Sequence, residues 1–153
     1  MPQVANQANW GNPLVEVGLT GALDVSATVF TTISPIKEDS SSLKTTPGTP
    51  LKIYREGHAL VQQKQNVSEY VFECSMFLLS GASKPIADTN GVILPNYTLR
   101  LTPEDNTMPG FIMRKCNVSV EEGWTSKEGK LLKYTFTGLL PVSGNICEDY
   151  TKP

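Results

Sequence analysis

The sequence predicts a mainly β domain: an antiparallel β-sandwich or small barrel of seven or eight strands, with at most one or two short helices. Three observations carry that expectation. Apolar residues recur at every second position in several segments, and β-branched and aromatic residues concentrate there. Twelve Gly and eleven Pro interrupt the chain at short intervals, which suits strands and turns better than a helical bundle. A chain of 153 residues has room for one domain. At that size folding buries about 70% of the unfolded surface, so a core forms without disulfides or metals.

Residues 1–12, rich in Asn, Gln and Ala and carrying Trp10, read as an N-terminal arm, followed by a β domain over 13–146. Leu14 to Thr20 is a short strand, ended by Gly18 or Gly21. Ser26 to Ser34 is dense in β-branched residues and is stopped by Pro35. Lys37 to Pro50 reads as a long polar loop whose one large apolar residue is Leu43. A loop of that length in a compact domain is usually functional or disordered.

Leu51 to Glu56 alternates, and Gly57 turns it towards Ala59 to Gln63. Glu69 to Leu79 fits a strand with Tyr70, Phe72, Cys74, Met76 and Leu78 on one face. It also fits a helix, with Leu60, Val67, Val71, Cys74 and Leu78 on one stripe. The concentration of Val, Tyr and Phe, and Gly81 at its end, favour the strand.

Asn90-Gly91 signals a tight turn, because both residues tolerate positive φ. Tyr97 to Leu101 is an alternating strand, and Thr102-Pro103-Glu104-Asp105 has the cap, proline and acids of a helix start. In Phe111 to Val120, Ile112, Cys116, Val118 and Val120 face one way, with Arg114 as the exception. Leu131 to Leu140 answers it through Leu132, Tyr134, Phe136 and Leu140. Between them Glu121 to Lys130 reads as a long polar connector, and Cys147 to Pro153 as a C-terminal arm.

Little in the sequence suggests catalysis. His58 is the only histidine, so a Ser-His-Asp or Cys-His arrangement would have to use it; beside Glu56 and Gly57 it reads as a turn residue. The acid pairs Glu38-Asp39, Glu104-Asp105, Glu121-Glu122 and Glu148-Asp149 fall in predicted loops or at strand ends, where solvation accounts for them. Cys74, Cys116 and Cys147 have no paired spacing, which disfavours a zinc site. Free buried thiols in a reducing compartment are expected, with one disulfide and a spare thiol as the alternative. No phosphate-cradling glycine motif occurs, and no cofactor is expected.

A formal net charge of −2, with scattered lysines and arginines, disfavours a protein that grips nucleic acid. No apolar run reaches membrane-spanning length and the N-terminus lacks a signal pattern, so a soluble intracellular product is expected. Trp10 and Trp124 each sit beside Gly in polar surroundings, as interface anchors or as covers of a core edge.

Taken in order, the segments Leu51–Gly57, Glu69–Leu79, Leu99–Asp105, Gly110–Lys115, Glu128–Phe136 and Leu140–Gly144 give the chain a pattern that resembles phage tail tube proteins and related ring-forming tail components. The resemblance implies a virion structural protein made in the cytoplasm of a bacterial host. Its copies would form a homo-oligomeric ring, a hexamer in this family, stacking into a tube that meets other tail proteins and lets DNA through. It implies a sandwich with a flanking helix, for which only Gly57 to Leu79 has room. Contacts between subunits would come from the Lys37–Pro50 loop and the two arms. The residues expected to make them are Trp10, Leu43, Thr46, Trp124 and Tyr150. The competing expectations are a binding module that recognises carbohydrate or protein through Trp10 and Trp124, and a small hydrolase built on His58 or an acid pair.

Overall fold

The computed structural model describes residues 13–37, 40–104 and 108–151. Among these residues ten strands run in chain order: β1 Leu14–Leu19, β2 Thr31–Thr32, β3 Ser42–Thr46, β4 Pro50–Tyr54, β5 Leu60–Gln65, β6 Glu69–Phe77, β7 Tyr97–Thr102, β8 Gly110–Thr125, β9 Gly129–Gly138 and β10 Glu148–Tyr150. Eight belong to one antiparallel sheet in the order β2-β1-β7-β8-β9-β6-β3, with β10 added beside β8; β4 and β5 form a separate two-stranded sheet. The fold is mainly β, as the alternation predicts. Among the described residues the only helical element is a 3-10 turn at Ala22–Asp24. The helix reading of residues 57–79 is therefore replaced by β5 and β6.

The 16-residue β8 organises the sheet. Leu99 of β7 pairs with Met113, but Tyr97 pairs with Cys116, so β8 spends one residue more than its partner across this step. Such a β-bulge shifts the side-chain phase by one and bends the strand. Met113, Cys116 and Val118 are accordingly buried, while Ile112 and Arg114 are only half-buried. The expected face of Ile112, Cys116, Val118 and Val120 is thus corrected: Phe111 and Met113 take the core positions before the bulge. Arg114 looked exceptional because the pattern changes phase at that point.

Two threonine hydroxyls hold the bulge. Thr98 and Thr20 both donate to the Arg114 carbonyl, at 2.8 and 2.7 Å, and the Ala27 amide donates to Thr98 Oγ1 at 3.1 Å. Thr98 is fully buried, and these bonds satisfy a hydroxyl that would otherwise cost free energy in the interior.

Before the bulge β8 pairs with β7 and β10; after it, β8 pairs with β9. The sheet folds over at this bend. Phe72 of β6 consequently meets Phe111 of β8 edge-on at 5.5 Å between ring centroids, although β9 separates their strands in the sheet. Phe136 lies 6.2 Å from Phe72, and Tyr134 lies 6.3 Å from Phe136. The Tyr134 hydroxyl donates to the Ile86 carbonyl at 3.2 Å, so the one buried polar tip in this aromatic row has a partner. Val15, Val17 and Leu99 complete the core from β1 and β7.

A short stretch of chain joins the two ends of the sheet. The Ile33 amide donates to Val15 of β1 at 2.9 Å, while Pro35 and Lys37 already exchange backbone bonds with Phe77 and Ser75 of β6 at 3.0 and 2.8 Å. Only Thr31–Thr32 of the expected Ser26–Ser34 strand is a strand. The residues before it lie over the outer face of β1 and β7, where the Phe30 ring covers Arg100 at 3.6 Å. Arg100 also donates to both carboxylate oxygens of Glu16, at 3.0 and 3.2 Å.

Three further expectations are corrected. Ser42–Thr46, placed in a loop, is a strand paired with Glu69–Glu73; all five residues are exposed, so no apolar alternation marked it. The Glu121–Lys130 connector is continuous ladder as far as Thr125 and Gly129, closed by a three-residue turn. Gly129 has φ 72°, and the Glu128 amide is capped by Thr125 Oγ1 at 3.0 Å. Glu148–Tyr150, placed in a C-terminal arm, pairs with Gly110–Ile112, and Tyr150 stands 5.5 Å from the Arg100 guanidinium.

Leu140 lies beyond β9 and is exposed, not part of the core face. Thr102 ends β7, whereas residues 105–107 of the expected helix start lie outside the described residues, as do residues 1–12. The Asn90-Gly91 turn stands as expected, with φ of 52° and 82°.

The 78–96 segment is fastened to the β8–β9 hairpin by charge. Lys84 bridges Asp88, at 2.8 Å, and Glu122, which also meets Lys130 at 3.4 Å. Hydrogen bonds from Lys84 hold both carboxyls below their usual range. Their contribution is complete above the ordinary carboxylate pKa near ~4 and disappears as pH falls through the lowered values. Lys84→Met is therefore expected to melt below the wild type at neutral pH, with the difference closing as the pH falls below the ordinary carboxylate range in thermal denaturation. Phe72→Ala should cost about 3–5 kcal/mol in urea unfolding, because it empties the contact between the two halves of the sheet.

Candidate self-assembly surface

The most exposed structured element is the β4–β5 hairpin. β3 and β6 form the base of a two-stranded ribbon, and β4 and β5 continue it away from the body. The two chains cross at Gly48, where a Cβ would lie 2.5 Å from the carbonyl oxygens of both Asn66 and Val67. No other residue fits that crossing without displacing backbone. Gln65 Nε2 donates to the Gly48 carbonyl and ties the crossing from the other side. From Gly48 to Tyr54 the arm extends roughly 20 Å, at the ~3.3 Å rise of a strand.

The tip follows from its residues. Gly57 and His58 adopt φ of 85° and 63°, and the amides of Arg55 and His58 donate to Ala59 and Arg55 across the turn at 3.0 and 3.1 Å. Ile53 pairs with Gln62 but Tyr54 pairs with Leu60, which leaves Val61 as an extra residue in β5. Every residue of both strands is exposed. Among them Leu51, Ile53, Tyr54, Leu60 and Val61 keep 49–62% of their surface in solvent.

A two-stranded hairpin alone is marginally stable in water, and free edges with apolar side chains invite pairing. The arm is also electrically distinct. Lys52, Arg55 and Lys64 against Glu56 give residues 50–65 a net charge of +2; the rest of the chain, ten cations against fourteen carboxylates, carries −4.

The residues singled out from sequence are scattered. Leu43 lies in β3, half-exposed at the rim of a groove of about 200 Å³. Thr46 is exposed where β3 meets the arm. Trp124 stands 72% exposed near the tip of the β8–β9 hairpin, so it covers no core edge. Tyr150 is half-buried against Arg100 within its own chain. Trp10 lies outside the described residues. Leu43 and Thr46 share β3 but, three residues apart, project to opposite faces, so the described members of this set are not gathered into one site. The five apolar residues of β4 and β5 were missed. Their alternation marked strands, but nothing local showed that neither face would be covered.

No convergent chemistry accompanies these surfaces. His58 sits on the exposed arm, apart from the core cysteines. Burial pushes the thiols of Cys74 and Cys116 up to about 12, and that of half-buried Cys147 upward as well; all three are free. A cavity of about 470 Å³ beside Val92, Ile93 and Leu94 has Asp88 as its one titratable lining residue, already bound to Lys84 and the Gly91 amide. Among the described residues no group of three or more His, Cys, Asp or Glu is placed to hold a metal ion. Nor is any helix there long and apolar enough to cross a membrane. No protein-family model matches the chain, and no curated protein matches it.

Limited trypsin digestion of the unassembled protein should cut after Lys52, Arg55 or Lys64 before Lys115 or Lys133, with mass spectrometry reading the order. At pH 8, iodoacetamide should modify Cys147 first; Cys74 and Cys116 should react only under unfolding conditions, as their raised pKa and burial require.

Proposed function

We propose that the protein is a virion structural subunit: copies assemble into a ring or tube of a phage tail through which DNA passes. The observation that carries this reading is the β4–β5 arm, an ordered ribbon whose apolar side chains no other described residue covers. Rings give such elements a partner, since closure consumes free edges and interface patches that would be a hazard on a monomer. In this reading the arm takes the intersubunit role expected of the Lys37–Pro50 loop. Trp124, exposed on another hairpin, supplies a second contact point. A net charge of −2 suits a lumen that must let phosphates slide past without binding.

Binding of carbohydrate or protein through Trp124 is the second reading, and it rests on the exposure of that one ring. Negative-stain imaging and sedimentation separate the two. The purified chain should form rings or tubes, or sediment far above 16.7 kDa. Leu51→Ser with Ile53→Ser should reduce assembly at least tenfold while leaving the β spectrum of the body unchanged. A chain that stays monomeric at all concentrations, and whose ligand binding disappears in Trp124→Ala, would support the binding module.

A further inference from the structure

We infer that the β4–β5 arm of one copy adds as a strand to the outer edge of β3 in a second copy, placing an apolar side chain in the groove beside Leu43. The inference rests on the assembly reading and specifies its contact. β3 is the last strand of the large sheet: it pairs with β6 on one side, and its other edge borders the groove.

That groove opens onto the core. Phe72, Phe111 and Leu101 form its floor, and its volume of about 200 Å³ suits one large side chain. Ser41 Oγ, in the groove lining, is buried without a hydrogen-bond partner.

The arm has the matching pattern. Leu51 and Ile53 are two residues apart and project from the same face, so pairing to an edge presents both on one side at ~7 Å spacing. Strand addition of this kind draws affinity from main-chain bonds and specificity from alternate side chains in pockets. Charge directs it as well. The arm carries +2 and the rest of the molecule −4. Of the body's carboxylates, Glu104 lines the groove, and Asp149 is the cross-strand neighbour of Phe111. The arm continues directly from β3 of its own chain through Pro47, Gly48 and Thr49. It leads away from that edge and pairs with β5 instead, so its own β3 is left unpaired on that side, and we assign the strand that fills the groove to another copy.

A mixing experiment in full chains tests this. One variant replaces residues 50–65 by a short Gly-Ser turn, which removes the arm and keeps the groove. The other, Leu43→Asp, keeps the arm and blocks the groove. Each alone should elute as a monomer, with near-UV circular dichroism confirming its fold. Mixed, they should form a one-to-one complex and nothing larger. Lys52→Glu with Lys64→Glu should raise the concentration needed for assembly about tenfold or more, as should raising salt from about 0.05 to about 0.5 M. If Leu43→Asp assembles like the wild type, or the mixture yields no complex while the wild type assembles, the groove is not the receptor, although the assembly reading stands. If the wild type itself never assembles, both fall.

Discussion

The bulge in β8 is the constraint on which the rest of the architecture depends. A single 16-residue strand serves two parts of the sheet because one extra residue between Met113 and Cys116 lets it bend and change phase. Without that residue, Phe111 and Met113 would turn outward whenever Cys116 and Val118 turned inward. The contact between Phe111 and Phe72 would be lost, and with it the packing between the two halves. The Arg114 carbonyl, accepting from Thr20 and Thr98, stabilises the bulge at its sharpest point. The outer face is then sealed by the 20–30 segment, and Arg100 is held between Glu16, Phe30 and Tyr150.

Around this frame the molecule divides into a covered body and an uncovered ribbon. Apart from the outer edge of β3, the described body covers several of its strand edges with its own segments. Residues 33–37 pass from β1 to β6, β10 covers the start of β8, and the 78–96 segment is pinned by Lys84. The ribbon does the reverse: beyond Gly48 its strands pair with each other alone. Two opposite treatments of strand edges in one chain are the physical basis for reading the arm as an element for contact between copies.

The long, half-buried strands were legible in the residues, because a face packed on a core imposes period-2 alternation. β1, β6, β7 and the inner part of β9 fall where that alternation lies. The strands that escaped notice share one property. β3 and the outer end of β8 are solvent-facing and β10 is only half-buried, so their sequences are polar at almost every position and resemble loops. Backbone pairing with a neighbour holds them, and a neighbour distant in sequence leaves no local trace. The opposite error occurred at Ser26–Ser34, where high β propensity met no free edge beyond Thr31–Thr32.

By itself the sequence determined the fold class, the main strands, the Asn90-Gly91 turn and the scarcity of groups for catalysis. These follow from side-chain chemistry and near-neighbour spacing, which are local properties. The tertiary structure decided the phase change at Arg114, the closure of the sheet through residues 33–37 and the isolation of β4 and β5 from the body. Each depends on which distant segment arrives beside which edge. For that reason Leu51 and Ile53 read in the sequence as half of a buried strand, and only the fold shows that no described part of the body covers them.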